Sequence, residues 1–406
     1  MKYLFVTQYF FPEEFRGNDI AFDWAAKGDQ VTVITAIPNY PSGKFTEGYG
    51  LFTKRKEIIN GVEVIRIPVI PRGKDNNIQL MLNYLSFALI GSLYALIIGI
   101  SRKFDAIFVQ QLSPITLALP GIIVKKIQKI PLTLWVLDLW PESLTSGGNI
   151  KNKQILSFFE YIVKFTYKNS DKILISSKGF ENSILRKGDF KTKIMHFPNW
   201  AEDVFTNKDV KTIDKLPTGF KVMFAGNIGE SQDFENIMQA ALLLKENKNI
   251  KFIILGDGRK KSWVDDFCSK NNLTDTVLCL GRFPIETMPS FFEKADVMLV
   301  TLKNDPILNI TLPAKVQAYM ACAKPIIGML NGDGAETIEN ANCGYSVNAS
   351  DYTKLSEAIL MMSQKDTSEL NKFGLNGLKF AKENYDKSHL MNKLYSEIMN
   401  NNQDIS

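Results

Sequence analysis

Short runs of β-branched, aromatic and aliphatic residues, each bounded by polar or turn residues, alternate along the chain with stretches of helical period. In the first half the runs are YLFVTQY, QVTVITA, VEVIRIP, DAIFVQQ, LTLWVLD and KILISS, with helical stretches at about 18–28, 78–100, 114–128, 153–169 and 178–187. The pattern halts at HFPNWAEDVFTNKDVKTIDKLPTGF, whose prolines and charges read as a linker. It restarts with KVMFAGN, KFIILGD, VLCLGR, VMLVTL, KPIIGM and GYSVN, separated by helices near 233–247, 260–271, 286–294, 313–322 and 333–340. This alternation builds parallel sheets with helices on both faces. The chain is therefore predicted to be α/β, with two tandem Rossmann-like, doubly wound domains at 1–200 and 201–385 and a C-terminal helix at 386–406 packing back on the first. Open sheets of this kind bind ligands at the carboxyl ends of their strands, which places the expected site in an interdomain cleft.

One segment departs from the pattern. Residues 78–100, IQLMLNYLSFALIGSLYALIIGI, carry no charge and are long enough to span a bilayer. Three readings stand open: a central helix buried all round, a helix lying on the inner leaflet with Asn83, Ser86 and Ser92 and the flanking Arg102 and Lys103 at the interface, or a true span.

Composition adds a polarity to the two halves. The 406 residues carry a net charge of +5 and 45% hydrophobic residues, an ordinary globular balance. Residues 1–200 hold 25 Lys and Arg against 16 Asp and Glu, whereas the remainder is net acidic. A basic first half points to an anionic partner, and charge alone fits a nucleic acid or an anionic lipid surface equally. Four cysteines without CxxC spacing and two histidines make a Cys/His metal site unexpected and favour a reducing, cytoplasmic location. The N-terminus MKYLFVTQYF reads as a buried strand, not a signal peptide.

The candidate chemistry gathers at strand ends. In TLPAKVQAYMACAKPI, Lys315 occupies the first turn of a helix, where the dipole disfavours a cation. A diphosphate held jointly by that ammonium and the free backbone amides would resolve the conflict; the competing explanation is a solvated lysine snorkelling off the helix. Gly226, Asn227 and Gly229 in AGNIGESQ, and Gly256 in LGDG, form strand-to-helix turns able to approach an anion, or simply tight turns. Arg282 ends LGRFP, where a guanidinium can stack on a base or fork to a phosphate. In the first half only Gly17 sits in the turn after the first strand, so a GxGxxG dinucleotide site is disfavoured. Gly17 and Asn18 instead precede a helix whose N–H groups could face a phosphate or sugar oxygen. Asp138 and Glu142 in WVLDLWPES are the catalytic carboxylate candidates, with helix capping as the alternative for Asp138. The absence of any DxD triplet argues against a metal-bridged nucleotide sugar.

Taken in order, YFFPEEFRGND, ITAIPNYPSGKF, VLDLWPES, FPNWAED, FAGNIGESQ, LGDG, LPAKVQAYMACAKPI and NGDGAETI make the chain resemble the GT-B glycosyltransferases of family 4, and among them the bacterial capsule and O-antigen enzymes of the L-fucosamine transferase type. The resemblance implies donor binding by the second domain and acceptor binding by the first. It implies Arg282 with Phe283 beside the nucleobase, and Lys315 with the amides of Thr311, Leu312 and Ala314 beside the diphosphate. Gly226, Asn227, Gly256 and Glu336 also fall on the donor side, and Asp138 falls where the family keeps an acceptor-side catalytic group. Where the family often carries two glutamates eight positions apart, this chain has Asn309 and Gln317. The resemblance further implies retaining transfer from a UDP-sugar without a metal cofactor. The acceptor would be an undecaprenyl-diphosphate-linked sugar at the anionic inner face of the bacterial plasma membrane, and no nucleic acid would be a partner. Two alternatives remain beside it: a non-catalytic nucleotide-sugar-binding protein at the membrane surface, and a sugar-nucleotide 2-epimerase, for which two histidines supply little acid/base chemistry.

Overall fold

The computed structural model describes residues 1–74, 77–146, 150, 152–206, 211–213 and 215–403; parts of the expected linker (207–210 and 214) and the end of the expected C-terminal helix (404–406) lie outside them. The chain divides into two compact units, one of Met1–Ser176, Phe180–Pro198 and Ser388–Ser406, the other of Ser177–Gly179 and Asn199–Lys387.

The first unit is built on β1 (Lys2–Val6), β2 (Gln30–Ala36), β3 (Lys56–Ile59), β4 (Val62–Ile67), β5 (Ala106–Gln111), β6 (Leu132–Val136), β7 (Lys172–Ile175) and β8 (Ile194–His196). Their order is β3-β4-β2-β1-β5-β6-β7-β8, parallel throughout except for the β3–β4 hairpin at one edge. Central strands covered on both faces lose the polar alternation of a half-exposed strand, and Tyr3, Leu4, Phe5 and Val6 of β1 are all completely buried. Phe5 and Phe108 pack at 5.0 Å between ring centres, with Trp24 edge-on to Phe108 at 5.4 Å. Sequence order turns back at β1, which has β2 on one side and β5 on the other.

The second unit contains β9 (Phe220–Ala225), β10 (Ile250–Leu255), β11 (Val277–Gly281), β12 (Val297–Thr301), β13 (Ile326–Met329) and β14 (Gly344–Val347). They run β11-β10-β9-β12-β13-β14, all parallel. This is the doubly wound order with its switch point between β9 and β12. Every predicted run contains a strand. The strands not foreseen are β3, whose residues alternate between exposed and half-buried at the sheet edge, and the three-residue β8. The helices Tyr352–Ser363 and Thr367–Asn384 were also not foreseen.

Two further helices belong to the first unit. The last, Lys387–Gln403, lies against the first unit: Leu394 is completely buried, Lys172 pairs with Glu397 at 2.5 Å, and Lys27 bonds Asn392 at 3.0 Å and sits over the Tyr395 ring. The uncharged helix Asn77–Ser101 is two-sided, which removes one of its three readings, that of a helix buried all round. Its inner face packs Phe87, Ala88, Gly91, Ala95 and Gly99 into the unit, while its outer face leaves large aliphatic side chains in the open.

Candidate functional site

At the carboxyl edge of the second sheet, three adjacent strands end in glycine. Gly226, Gly256 and Gly281 follow or close β9, β10 and β11 with φ of +141°, +139° and +83°, a region L side chains rarely adopt. Their backbones interlock, Gly226 N–H donating to Leu255 C=O at 2.9 Å and Gly256 N–H to Gly281 C=O at 2.7 Å. The result is a bare backbone floor beside the switch point.

Lys315 lies across this floor. Its helix, Ala314–Ala321, is anchored by the buried Val316, Tyr319 and Met320, and the Tyr319 hydroxyl bonds both the N–H and C=O of Ala225 at the end of β9. The lysine stem then passes so close to Gly226 that a Cβ there would sit 2.6 Å from Lys315 Cε. Its Nζ lies 3.7 Å from the centre of the Phe224 ring and donates to Gln232 Oε1. No carboxylate pairs with it among the described residues, and burial alone pulls its pKa from the usual lysine range down to about 7. A cation held out of water and unpaired is a site built for an anion.

The amides expected beside it are only partly free. Leu312 N–H donates to Ser177 Oγ at 2.9 Å, and Thr311 N–H to Leu308 C=O at 3.3 Å, while the Thr311 hydroxyl donates to Ile307 C=O. These occupied donors remove Thr311 and Leu312 from the set of diphosphate amides. Ala314 and Lys315 open a helix with no side-chain cap, so their N–H groups remain available. The Thr311–Pro313 loop is braced from below by Asp333, whose carboxylate accepts from Ser177 Oγ and from Gly179 N–H at 2.7 Å.

The other donor-side candidates separate. Arg282 is exposed beyond Gly281, and Phe283 packs on Phe291 with 4.7 Å between ring centres. Asn227 is exposed in the loop after β9, and Glu336 is exposed in the first turn of Asp333–Asn340. Asn309 bonds Asn304 at 3.0 Å, and its carbonyl crowds Gly332, where a Cβ would come within 1.9 Å. Gln317, which stands where the family often carries a glutamate, is buried, and its amide N–H donates to Asn199 C=O at 2.6 Å, joining the helix to the start of the unit.

In the first unit a Cβ on Gly17 would meet Gln110 Oε1 at 2.1 Å, so the side chain at the end of β5 packs directly against this glycine. Asn18 is buried and donates to Glu13 C=O at 2.7 Å. Sequence reasoning passed over Glu13, although it stands in YFFPEEFRGND. Its Oε1 accepts the N–H groups of Asn39 and Tyr40 at 2.7 Å each, its Oε2 is buried without a partner, and desolvation pushes its pKa up to about 7. The only sequence signal for it was a Pro-Glu-Glu in a turn.

Asp138 and Glu142 take different roles. Burial raises the pKa of Asp138, while Ser143, Ser113 and Trp140 (Nε1 at 3.1 Å) donate to its carboxylate. Glu142 accepts from Ser183 Oγ at 2.7 Å and pairs with the buried Lys187. That ion pair ties the start of the short helix Glu142–Ser146 to the turn after the helix Phe180–Leu185, which gives Glu142 a structural role in place of the expected catalytic one.

Residues 219–365 match the family model described as Glycosyl transferases group 1. The matched residues include Gly226, Gly256, Arg282 and Lys315, so the glycosyl transferase match covers the floor and the cation above it. Over 315 residues the chain is 25% identical to WcaI of Escherichia coli (strain K12), named as a colanic acid biosynthesis glycosyl transferase, covering 74% of this chain and 75% of that one. It is 28% identical over 255 residues to WbjE of Pseudomonas aeruginosa, named as a glycosyltransferase, spanning 58% of this chain and 61% of WbjE. Among solved structures, Anabaena HepE in complex with UDP aligns with a TM-score of 0.68 at 13% identity, covering 98% of this chain and 100% of that one. Sucrose-phosphate synthase from Thermosynechococcus elongatus aligns at 0.71 and 16% identity, covering 98% and 99%. The fold is GT-B.

Proposed function

We propose that the chain is a retaining glycosyltransferase that moves a sugar from a UDP-sugar to a lipid-linked glycan in capsule or O-antigen synthesis. The observation that carries this reading is Lys315: a buried ammonium without a carboxylate, over a glycine floor at the switch point of a parallel sheet. A nucleoside diphosphate supplies the missing charge, and Arg282 beyond Gly281 takes the base or the outer phosphate. The UDP complex of HepE and the name of WcaI support the donor class and the polysaccharide setting. The sugar is an N-acetylated amino or deoxyamino sugar such as L-FucNAc, and the acceptor is undecaprenyl-diphosphate-linked, which sets the enzyme on the cytoplasmic side of the plasma membrane.

In this scheme the bond from the anomeric carbon to the diphosphate oxygen breaks as the acceptor hydroxyl attacks on the same face. The hydroxyl proton passes to the departing diphosphate oxygen. Lys315 and the amides of Ala314 and Lys315 hold the charge that develops there, the kind of preorganised stabilisation that dominates such steps. Neither a carboxylate nucleophile nor a metal or other cofactor enters. Asp138, raised in pKa and fixed by three donors, orients the acceptor side. The test is a panel of UDP-sugars assayed for transfer and slow hydrolysis, with the product anomer read by NMR. Stabilisation by UDP without hydrolysis or transfer on any acceptor would instead favour a non-catalytic binder, and an inverted product would overturn the mechanism.

A further inference from the structure

The helix Asn77–Ser101 presents an aliphatic strip that none of the described residues covers. Ile78, Met81, Leu85, Leu89, Leu93 and Ile97 recur at three- and four-residue intervals on its outer side, and all are exposed, Leu93 at 62%. At 1.5 Å per residue the strip runs about 28 Å. Such an unbroken apolar surface exceeds what a soluble chain leaves in water without a use for it.

The helix is fixed in place. On its inner side Gly91 and Gly99 let it settle against Leu119–Gln128, where a Cβ at either would come within 3.0 Å of Pro120 or Ile127. Asn83 accepts from Gln8 Nε2 at 2.7 Å and donates to Ile70 C=O at 2.6 Å, and Gln128 Nε2 donates to the carbonyls of Gly99 and Arg102. A helix tied to its unit by buried amides at one end and a glutamine at the other does not leave to cross a bilayer. It offers one side only.

The rim of the strip is basic. Residues 77–137 contain five Lys and Arg and a single acid, Asp105; of the five, Arg102 pairs with Glu63 and Lys125 with Asp171, which leaves Lys103, Lys126 and Lys129 to carry the charge. Exposed Lys74 precedes the helix and exposed Lys103 follows it, while exposed Lys126, its Nζ over the Phe165 ring, and Lys129 end the neighbouring helix Leu119–Gln128, which Gln128 joins to the far end of the strip. We infer that this strip is a membrane-docking surface, lying in the plane of an anionic leaflet with its aliphatic side chains among the acyl chains and the lysines at the headgroups. The strip carries no hydrogen-bonding side chain along its outer line, which suits lipid better than a protein partner. A second copy packed on the same strip antiparallel would bring Lys74 against Lys103 and Lys126, like charge on like.

The inference deepens the proposed transfer, because a docked enzyme meets a lipid-borne acceptor without that acceptor leaving the bilayer. Vesicle binding is read without any transfer assay, so the two stand or fall separately. The full chain is sedimented with vesicles of equal parts phosphatidylglycerol and phosphatidylethanolamine and with neutral phosphatidylcholine vesicles. The expected result is binding to the anionic vesicles that weakens at high salt. In the double variant Leu89→Glu/Leu93→Glu, at exposed positions that leave the core untouched, partitioning should drop by about tenfold or more. Lys126→Glu/Lys129→Glu, which keeps the strip, should lose most of the preference for anionic lipid. Absence of wild-type binding, or wild-type partitioning by the Leu variant, overturns the inference. So does a wild-type dimer in solution that the Leu variant dissociates, since the strip would then be an interface between copies.

Discussion

Two lysines are drawn out of water, one in each unit. Lys187 in the first has a side chain only 5% exposed and meets Glu142, with Glu160 at 3.6 Å. Lys315 in the second meets an amide oxygen and an aromatic face, and no acid among the described residues. Both ammonium groups lose hydration, but only the first recovers it from a carboxylate, which is the difference between a charge used for architecture and a charge held for a ligand. The same contrast sets Glu142 in the frame of the first unit and makes Lys315 the group on which the proposed donor site rests.

The comparison is broken most forcefully at Lys315. Lys315→Met should lower kcat/KM by about 2–4 kcal/mol, the scale of one preorganised donor to a developing charge. It should also abolish the thermal shift given by UDP while leaving the melting temperature of the free protein unchanged or raised. Unaltered turnover would remove the lysine from the mechanism.

Lys187→Met should do the opposite. It strands Glu142 beside a buried Oε2 that already lacks a partner, and the loss of stability should approach, without reaching, the roughly 3–5 kcal/mol of a fully buried pair. Chemical denaturation measures it, and turnover per folded molecule should be retained.

A smaller effect is expected from Gly226→Ala. The added methyl would lie 2.6 Å from Lys315 Cε at a φ of +141°. Displacing the lysine should reduce kcat/KM about tenfold, and the double variant with Lys315→Met should be no worse than Lys315→Met alone, the mark of two residues acting as one.

The gentlest test is pH. With a folded pKa near 7 and an ordinary unfolded value, the unfolded chain binds one more proton than the folded chain from about pH 7 to 10. The Lys315 contribution to the stability of the free protein therefore rises with pH across that window. A bound diphosphate favours the ammonium, so UDP affinity should fall over the same window, by up to about tenfold per pH unit. Calorimetric titration between pH 7.5 and 9, with Lys315→Met as the flat reference, resolves the two opposed slopes.

The parallel strands were legible because burial on both faces removes polar residues from them, so VMLVTL and KFIILGD announce themselves. The edge strand KEII and the three-residue β8 lacked that signature, being half-exposed or too short to show a period. Lys315 was legible because its charge conflicts with the local helix dipole. Thr311, Leu312, Gln317 and Gly17 were placed by position, but their donors or their space are taken by Leu308, Ser177, Asn199 and Gln110, partners far away in sequence or screened by an ordinary turn. Glu13 escaped for the same reason: its environment is made by Asn39 and Tyr40, on a different loop.

The floor of interlocked glycines carries one more implication. A Cβ on Gly256 would fall 1.8 Å from the Gly226 carbonyl oxygen, so main chain rests on main chain and no substitution can widen or narrow that wall. Under the proposed reading, any drift in sugar preference would have to be written elsewhere, on the exposed loops bearing Asn227, Arg282 and Glu336, leaving the proposed grip on the phosphates as the inherited constant.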